Sequence, residues 1–114
     1  MRHIMIIDDD LIMRSMIAEY FTAGDDYVSM VENYDDAIRL LPQNEWDIIY
    51  LDHDLGMGRT GHDIAKWIIA HPAMRIKKVI ITSNNCVGAG NIFNELAGSG
   101  IYLEIFPKMN MCLG

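Results

Sequence analysis

Two short apolar runs in this sequence each end in a group of carboxylates. Residues 4–7 lead directly into Asp8–Asp10, and residues 48–51 lead into residues 52–54, which read Asp-His-Asp. A continuous apolar run of this length is typical of a buried strand in a parallel sheet, whose strands all end at one edge. Carboxylates gathered at such an edge repel one another and favour a hard cation with oxygen ligands. The pattern therefore predicts a parallel sheet with a site for magnesium or calcium.

Length and charge restrict the class of protein further. A chain of 114 residues fits one domain, over residues 1–114, that buries about 65% of its unfolded surface. Its formal charge of −7 disfavours a nucleic-acid surface, because phosphate backbones require clustered Lys and Arg. No apolar stretch has the length of a membrane span, and the two cysteines lack the CxxC spacing of a metal or redox site. We therefore expect a cytoplasmic protein without nucleic acid or membrane partners.

Strand and helix signals alternate along the whole chain. Strands are predicted over 3–8, 27–32, 47–52, 79–82 and 101–106. Helices are predicted from the first strand to Gly24, after the cap residue Asn33, after the glycine-rich loop 56–61 and over 91–97, with a long loop over 83–90. Five strands separated by helices indicate an α/β, doubly wound parallel sheet. By analogy with flavodoxin-like folds we expect the strand order 2-1-3-4-5, which makes the first and third strands neighbours.

Four segments of the chain resemble the receiver domains of bacterial response regulators. They are residues 6–10, residues 47–52, residues 80–83 and Lys108, which lie at the ends of the first, third, fourth and fifth predicted strands. Each segment alone is weak, but the four in this order are a fairly specific signal. The resemblance implies a two-component signalling module without an attached output domain. Its partner in phosphorylation would be a sensor histidine kinase or a small phosphoryl donor.

The resemblance also assigns roles to individual residues. Asp52 would be the phosphoacceptor, a carboxylate that attacks phosphorus. Thr82 and Lys108 would each contact a phosphoryl oxygen. The implied magnesium ligands are Asp8, Asp9, Asp52 and, through its backbone carbonyl, Asp54. Magnesium would offset the repulsion between the nucleophile and an anionic phosphoryl group.

Asp54 departs from the usual receiver pattern, in which the residue two places after the phosphoacceptor is apolar or small. The string over residues 51–56 resembles a variant receiver subgroup proposed to process cyclic phosphates, and Asp52 with Asp54 resembles the D-x-D pair of haloacid-dehalogenase-type phosphatases. In those phosphatases the second acid is a general acid and base. A small metal-dependent phosphohydrolase acting on cyclic or simple phosphoesters is therefore an alternative. A pseudo-receiver that is never phosphorylated and only binds a partner is another.

His53 and two glycine-rich segments each have both a functional and a structural interpretation. His53 would be a proton shuttle or simply a partner of a neighbouring acid. The glycine-rich segments 56–61 and 83–90 would cradle an anion, with Arg59 as a phosphate donor in the first, or would be ordinary flexible turns. Neither segment matches a P-loop.

The end of the chain is also unlike a typical receiver. Residues 109–114 are too few for the usual fifth helix, and Pro107 precedes Lys108 where the family has the reverse order. We expect the fifth helix to be short or absent and the sheet face beside the first helix to lie open. An exposed apolar patch of that size marks an interface, so we expect a homodimer mate or another protein to cover it.

Overall fold

The chain alternates strand and helix around one parallel sheet in the computed structural model, which describes residues 1–21 and 24–106. The strands are β1 His3–Ile7, β2 Tyr27–Val31, β3 Trp46–Leu51, β4 Ile76–Ile81 and β5 Tyr102–Ile105. The helices are α1 Leu11–Glu19, α2 Tyr34–Leu40, α3 Gly61–Ala70 and α4 Cys86–Leu96, and a 3₁₀ turn, Leu41–Gln43, follows α2. The strand order is β2-β1-β3-β4-β5. This order confirms the flavodoxin-like prediction.

The register of the sheet brings the ends of the central strands level. Ile7 pairs with Leu51, and Leu51 pairs with Ile81. Hydrogen bonding continues one residue beyond each strand, since the Asp52 amide donates to Ile7 O at 3.0 Å and the Thr82 amide donates to Leu51 O at 2.9 Å. The residues that follow β1, β3 and β4 therefore start side by side at one edge of the sheet.

The two faces of the sheet are covered unequally. The larger core cluster packs α2, α3 and α4 against one face and includes Trp46, Ile49, Ile64, Ile81, Ile92 and Leu96. The smaller cluster lies under α1 and has three buried members, Ile4, Ile6 and Ile17. Residues 107–114, on which the prediction of a short or absent fifth helix depends, lie outside the described residues.

α4 begins earlier than the sequence predicted. Residues 83–90 were expected to form a long loop because of their glycines and asparagines, but the helix starts at Cys86. Asn85 is its N-cap, and its side chain accepts a hydrogen bond from the Gly88 amide at 2.9 Å. A capping Asn is the ordinary start of a helix, and glycine is tolerated inside one when packing compensates. The prediction of a loop over 83–90 was therefore wrong from Cys86 onward, and the anion-binding interpretation of this segment stays a prediction.

Two other boundaries differ from the prediction by three residues or more. β4 begins at Ile76 and not at residue 79, because Ile76 is buried and pairs with Trp46 while the following lysines occupy strand positions nearer solvent. α1 ends at Glu19 and not near Gly24. In both places an exposed or mixed stretch obscured the periodicity that marks the end of an element.

Candidate functional site

Three carboxylates from two strand ends meet at the carboxyl edge of the sheet. One oxygen from each of Asp8, Asp9 and Asp52 lies within 4.8 Å of the other two. Asp8 is fully buried and Asp52 is 4% exposed, whereas Asp9 faces solvent. Backbone amides orient the two buried groups, because the Asp10 amide donates to Asp8 Oδ1 and the His53 amide donates to Asp52 Oδ1, each at 2.9 Å. We refer to these three residues as the acid cluster.

The acid cluster fits a hard divalent cation. Its donor atoms are carboxylate oxygens alone, which suit magnesium or calcium better than zinc or copper. Three like charges this close, two of them removed from water, favour a bound counter-ion. Asp8, Asp9 and Asp52 are therefore the residues that would hold such an ion.

The remaining acid of the first run has a structural role. Asp10 is the N-cap of α1, and its carboxylate accepts hydrogen bonds from the Ile12 amide at 2.9 Å and the Met13 amide at 3.5 Å. N-capping by Asp satisfies amides that have no partner within the helix. Asp10 therefore starts α1 directly after Asp8 and Asp9, and its own carboxylate is used in the helix cap.

Arg14 contacts the backbone of Asp8 in the acid cluster, and the sequence did not single it out. Its Nη1 donates to the Asp8 carbonyl oxygen at 2.6 Å and lies 3.9 Å from Glu32. The side chain is only 12% exposed. A hydrogen bond to a backbone carbonyl has no sequence motif, so no specific signal pointed to this role of Arg14.

Thr82 follows β4 and lies one strand away from Asp52. It is 1% exposed, and its Oγ1 has no hydrogen-bond partner among residues 1–21 and 24–106. A buried hydroxyl without a partner costs about 1–3 kcal/mol. Thr82 therefore has an unused donor at the sheet edge that carries the acid cluster. Lys108, the other predicted phosphoryl contact, lies outside the described residues.

Asp54 lies beside the acid cluster but not within it. Its carboxylate is 61% exposed, and its Oδ1 lies 2.8 Å from Nδ1 of His53. The predicted contribution of its backbone carbonyl to a metal site stays a prediction. The pair with Asp54 matches one of the two interpretations of His53, as a partner of a neighbouring acid.

The His53 ring packs against the first turn of α4. A Cβ placed on Gly88 would lie 2.6 Å from Nδ1 and 2.7 Å from Cδ2 of the ring. Only glycine allows the first turn of α4 to approach the ring this closely. The residue next to Asp52 is thus in direct contact with the helix that follows Thr82.

α3 begins against the backbone of Asp52. A Cβ placed on Gly61 would overlap the Asp52 carbonyl oxygen, and the Gly61 amide donates to His53 O at 2.8 Å. Thr60 and Asp63 form a capping box at this helix start. The hydrogen bond from the Thr60 amide is the main cause that lowers the pKa of the Asp63 carboxyl. These contacts fix the position of Asp52 relative to α3.

Residues 3–98 match the family model described as the cyclic-phosphate processing receiver domain. No curated protein is significantly similar to the chain in sequence. Within the described part of the chain, no helix is long and apolar enough to cross a membrane.

Solved structures of response regulators share the fold. A Burkholderia pseudomallei response regulator with a phosphorylated aspartic acid and a calcium ion is 18% identical with a TM-score of 0.72, and the alignment covers 96% of this chain but 61% of that one. Thermotoga maritima TrrA, in complex with Mg²⁺ and BeF, is 18% identical with a TM-score of 0.70 and coverages of 98% and 91%. Vibrio cholerae CheY4 is 15% identical with a TM-score of 0.75 and coverages of 96% and 88%. At these identities the likeness shows the fold alone.

Proposed function

The chain belongs to the cyclic-phosphate processing receiver domains, and we propose that it is a cation-dependent phosphoacceptor whose nucleophile is Asp52. The observation that carries the proposal is the convergence of Asp8, Asp9 and Asp52 within 4.8 Å of one another. A sensor histidine kinase or a small phosphoryl donor would supply the phosphoryl group. The response regulator from Burkholderia pseudomallei, which has this fold, contains a phosphorylated aspartic acid and a calcium ion.

The chemistry follows from the residues around Asp52. A carboxylate oxygen of Asp52 attacks phosphorus, and the bond to the leaving group breaks with its electron pair. A bound magnesium ion would offset the negative charge of the acids and of the incoming group. The Thr82 hydroxyl, buried at the same edge, donates to a phosphoryl oxygen. Lys108 would pair with another oxygen, as the resemblance to receivers implies.

A second candidate function is the hydrolysis of cyclic or simple phosphoesters through Asp52 and Asp54. It is favoured by the His53–Asp54 hydrogen bond of 2.8 Å next to the nucleophile and by the description of the family. Asp54 lies outside the acid cluster, so its role would be proton transfer to the leaving group and from water. Catalytic release of phosphate from a cyclic or simple phosphoester, lost in Asp52→Asn and slowed in Asp54→Asn, would support this function.

We also propose that a homodimer mate or another protein covers the sheet face beside α1, and that the protein is cytoplasmic. Ile12 and Met16 of α1 and its C-cap residue Tyr20 recur at every fourth position and are 70%, 55% and 78% exposed. Tyr50 of β3 lies on the same face, and burial raises the pKa of its hydroxyl. Sedimentation velocity at tens of micromolar tests self-association; a strict monomer that also binds no kinase or partner on this face would refute the proposal.

Intact-mass spectrometry separates the candidate functions. The protein is incubated with magnesium and acetyl phosphate, and the mass of the chain and the consumption of the donor are followed over time. A lasting phosphoryl adduct, lost in Asp52→Asn, is the result expected for a phosphoacceptor. Rapid consumption without an adduct, slowed in Asp54→Asn, would favour hydrolysis. If no adduct forms and neither acetyl phosphate nor cyclic phosphoesters are consumed, both chemistries are refuted. The pseudo-receiver interpretation would then be the one that agrees with the result.

A further inference from the structure

The loop between β3 and α3 forms an ordered rim beside the acid cluster. Its ends are joined by an antiparallel bridge between Asp54 and Thr60, and Leu55 anchors it in the core at 3% exposure. Its tip, residues 56–58, has three successive left-handed residues with φ of 68°, 54° and 79°. A non-glycine residue in this region, here Met57, is uncommon and persists where surrounding contacts fix it. We name residues 54–60 the rim loop.

One end of the rim loop approaches the exposed member of the acid cluster, Asp9. A Cβ placed on Gly56 would lie 3.9 Å from Asp9 Oδ2. At the other end of the loop, Gly61 contacts the Asp52 backbone so closely that a Cβ would overlap it. Arg59 lies between these two contacts, next to Thr60 of the bridge and two residues before Gly61.

The Arg59 guanidinium lies against an aromatic ring and forms no salt bridge with a described carboxylate, although its charge helps to lower the pKa of the Asp63 carboxyl. It lies over the ring of Tyr34, 4.7 Å from the ring centroid, and Tyr34 is the first residue of α2 and partly buried. Among the lysines and arginines that the structure describes, Arg59 and Lys66 are the two without a carboxylate oxygen within 4.0 Å. A guanidinium has five N–H donors in a fixed plane, which suits bidentate contact with phosphate oxygens.

We propose that Arg59 is a specificity-determining residue that binds the anionic group of the phosphoryl compound entering the site. This rests on the proposed function of the acid cluster in phosphoryl chemistry. The cluster and a net charge of −7 repel an anion, and Arg59 supplies positive charge on the rim loop. The Tyr34 ring restricts the guanidinium beforehand, so less side-chain freedom is lost on binding.

The first test measures the rate of acetyl phosphate labelling at increasing donor concentration with saturating magnesium. Arg59→Ala should raise the half-saturating concentration about tenfold, the loss expected for a charge-assisted contact, with the maximal rate nearly unchanged. Arg59→Lys should recover part of this, and Tyr34→Leu should fall between wild type and Arg59→Ala, while Tyr34→Phe retains the ring and behaves as wild type. Arg75→Ala is the matched control, since Arg75 is 80% exposed at the opposite end of the sheet. An unchanged half-saturating concentration in Arg59→Ala would overturn the role of Arg59 while leaving phosphorylation of Asp52 intact.

The second test does not depend on phosphoryl transfer. Inorganic phosphate is titrated into the magnesium-loaded protein and amide shifts of residues 54–60 are followed by NMR. Saturable shifts in wild type that weaken about tenfold in Arg59→Ala, and persist in Asp52→Asn, would support the proposal even if no phosphoryl adduct forms. Wild-type protein that binds no phosphate, or Arg59→Ala that binds it equally well, would refute it.

Discussion

The contact between His53 and Gly88 predicts an unusual effect of a glycine-to-alanine substitution in α4. Alanine stabilises a helix relative to glycine by about 0.5–1 kcal/mol when nothing else changes. At position 88, however, the new methyl group would lie 2.6 Å from Nδ1 and 2.7 Å from Cδ2 of the His53 ring. Relaxed contacts require about 3.5–4.0 Å. The ring or the helix must therefore move by about 1 Å.

The two effects have opposite sign, and the overlap is the larger. Inserting a methyl group into a packed site costs about 1–3 kcal/mol, so Gly88→Ala should lower the free energy of unfolding by about 0.5–2 kcal/mol after the helix gain is subtracted. In a His53→Ala background the overlap disappears, and the same substitution should stabilise by about 0.5–1 kcal/mol. The coupling between the two positions should be about 1–3 kcal/mol.

Urea unfolding of the four proteins of this cycle measures the coupling. Gly90→Ala is the matched control, because Gly90 is in the same helix and a Cβ there would have no heavy atom within 4 Å. Gly90→Ala should stabilise equally with and without the His53 ring. If Gly88→Ala stabilises the protein in both backgrounds, the packing of His53 on α4 is not as described.

Substitutions at Arg14, Gly61 and Asp63 test the contacts that hold the residues around Asp52 in place. Arg14→Met should lower the free energy of unfolding by about 1–3 kcal/mol by removing the charge-assisted hydrogen bond from Arg14 to the Asp8 carbonyl. Arg39→Met, at an exposed ion pair, should change it by less than about 1 kcal/mol; urea unfolding checks both. Gly61→Ala should abolish phosphorylation or cost more than about 2 kcal/mol, and circular dichroism with intact mass separates these outcomes; wild-type behaviour in both would contradict the close contact. The lowered pKa of Asp63 means that its hydrogen bonds stabilise the fold above the unfolded pKa and are lost as pH falls through the lower folded value. Urea midpoints from neutral to acidic pH should therefore fall less steeply in Asp63→Asn, and identical slopes would be the contrary result.

The sequence predicted the parts of the fold that depend on continuous burial. The apolar runs 4–7 and 48–51 became the adjacent strands β1 and β3, because uninterrupted apolar side chains fit a strand covered on both faces. That adjacency brought Asp8, Asp9 and Asp52 together. The acid cluster could thus be predicted from local pattern and one topological rule.

The sequence could not predict contacts that depend on tertiary packing. Gly88 was assigned to a loop because glycine favours turns. The reason for a glycine inside the helix is the close approach of the His53 ring, a tertiary contact that the sequence does not show. Arg14 was missed because its hydrogen bond is to a backbone carbonyl, which leaves no pattern in the sequence. The Arg59–Tyr34 pair joins two segments 25 positions apart and has no local signature.

Manganese titration followed by NMR would test most directly whether the acid cluster binds a cation. Substoichiometric Mn²⁺ broadens amide signals close to the ion, so the amides of residues 8–9 and 52–53 should broaden together and first. Excess Mg²⁺ should restore them, and Asp9→Asn should require more Mn²⁺ for the same broadening. Broadening that is absent, or that begins at Glu45 and the opposite end of the sheet, would contradict a cation site formed by Asp8, Asp9 and Asp52.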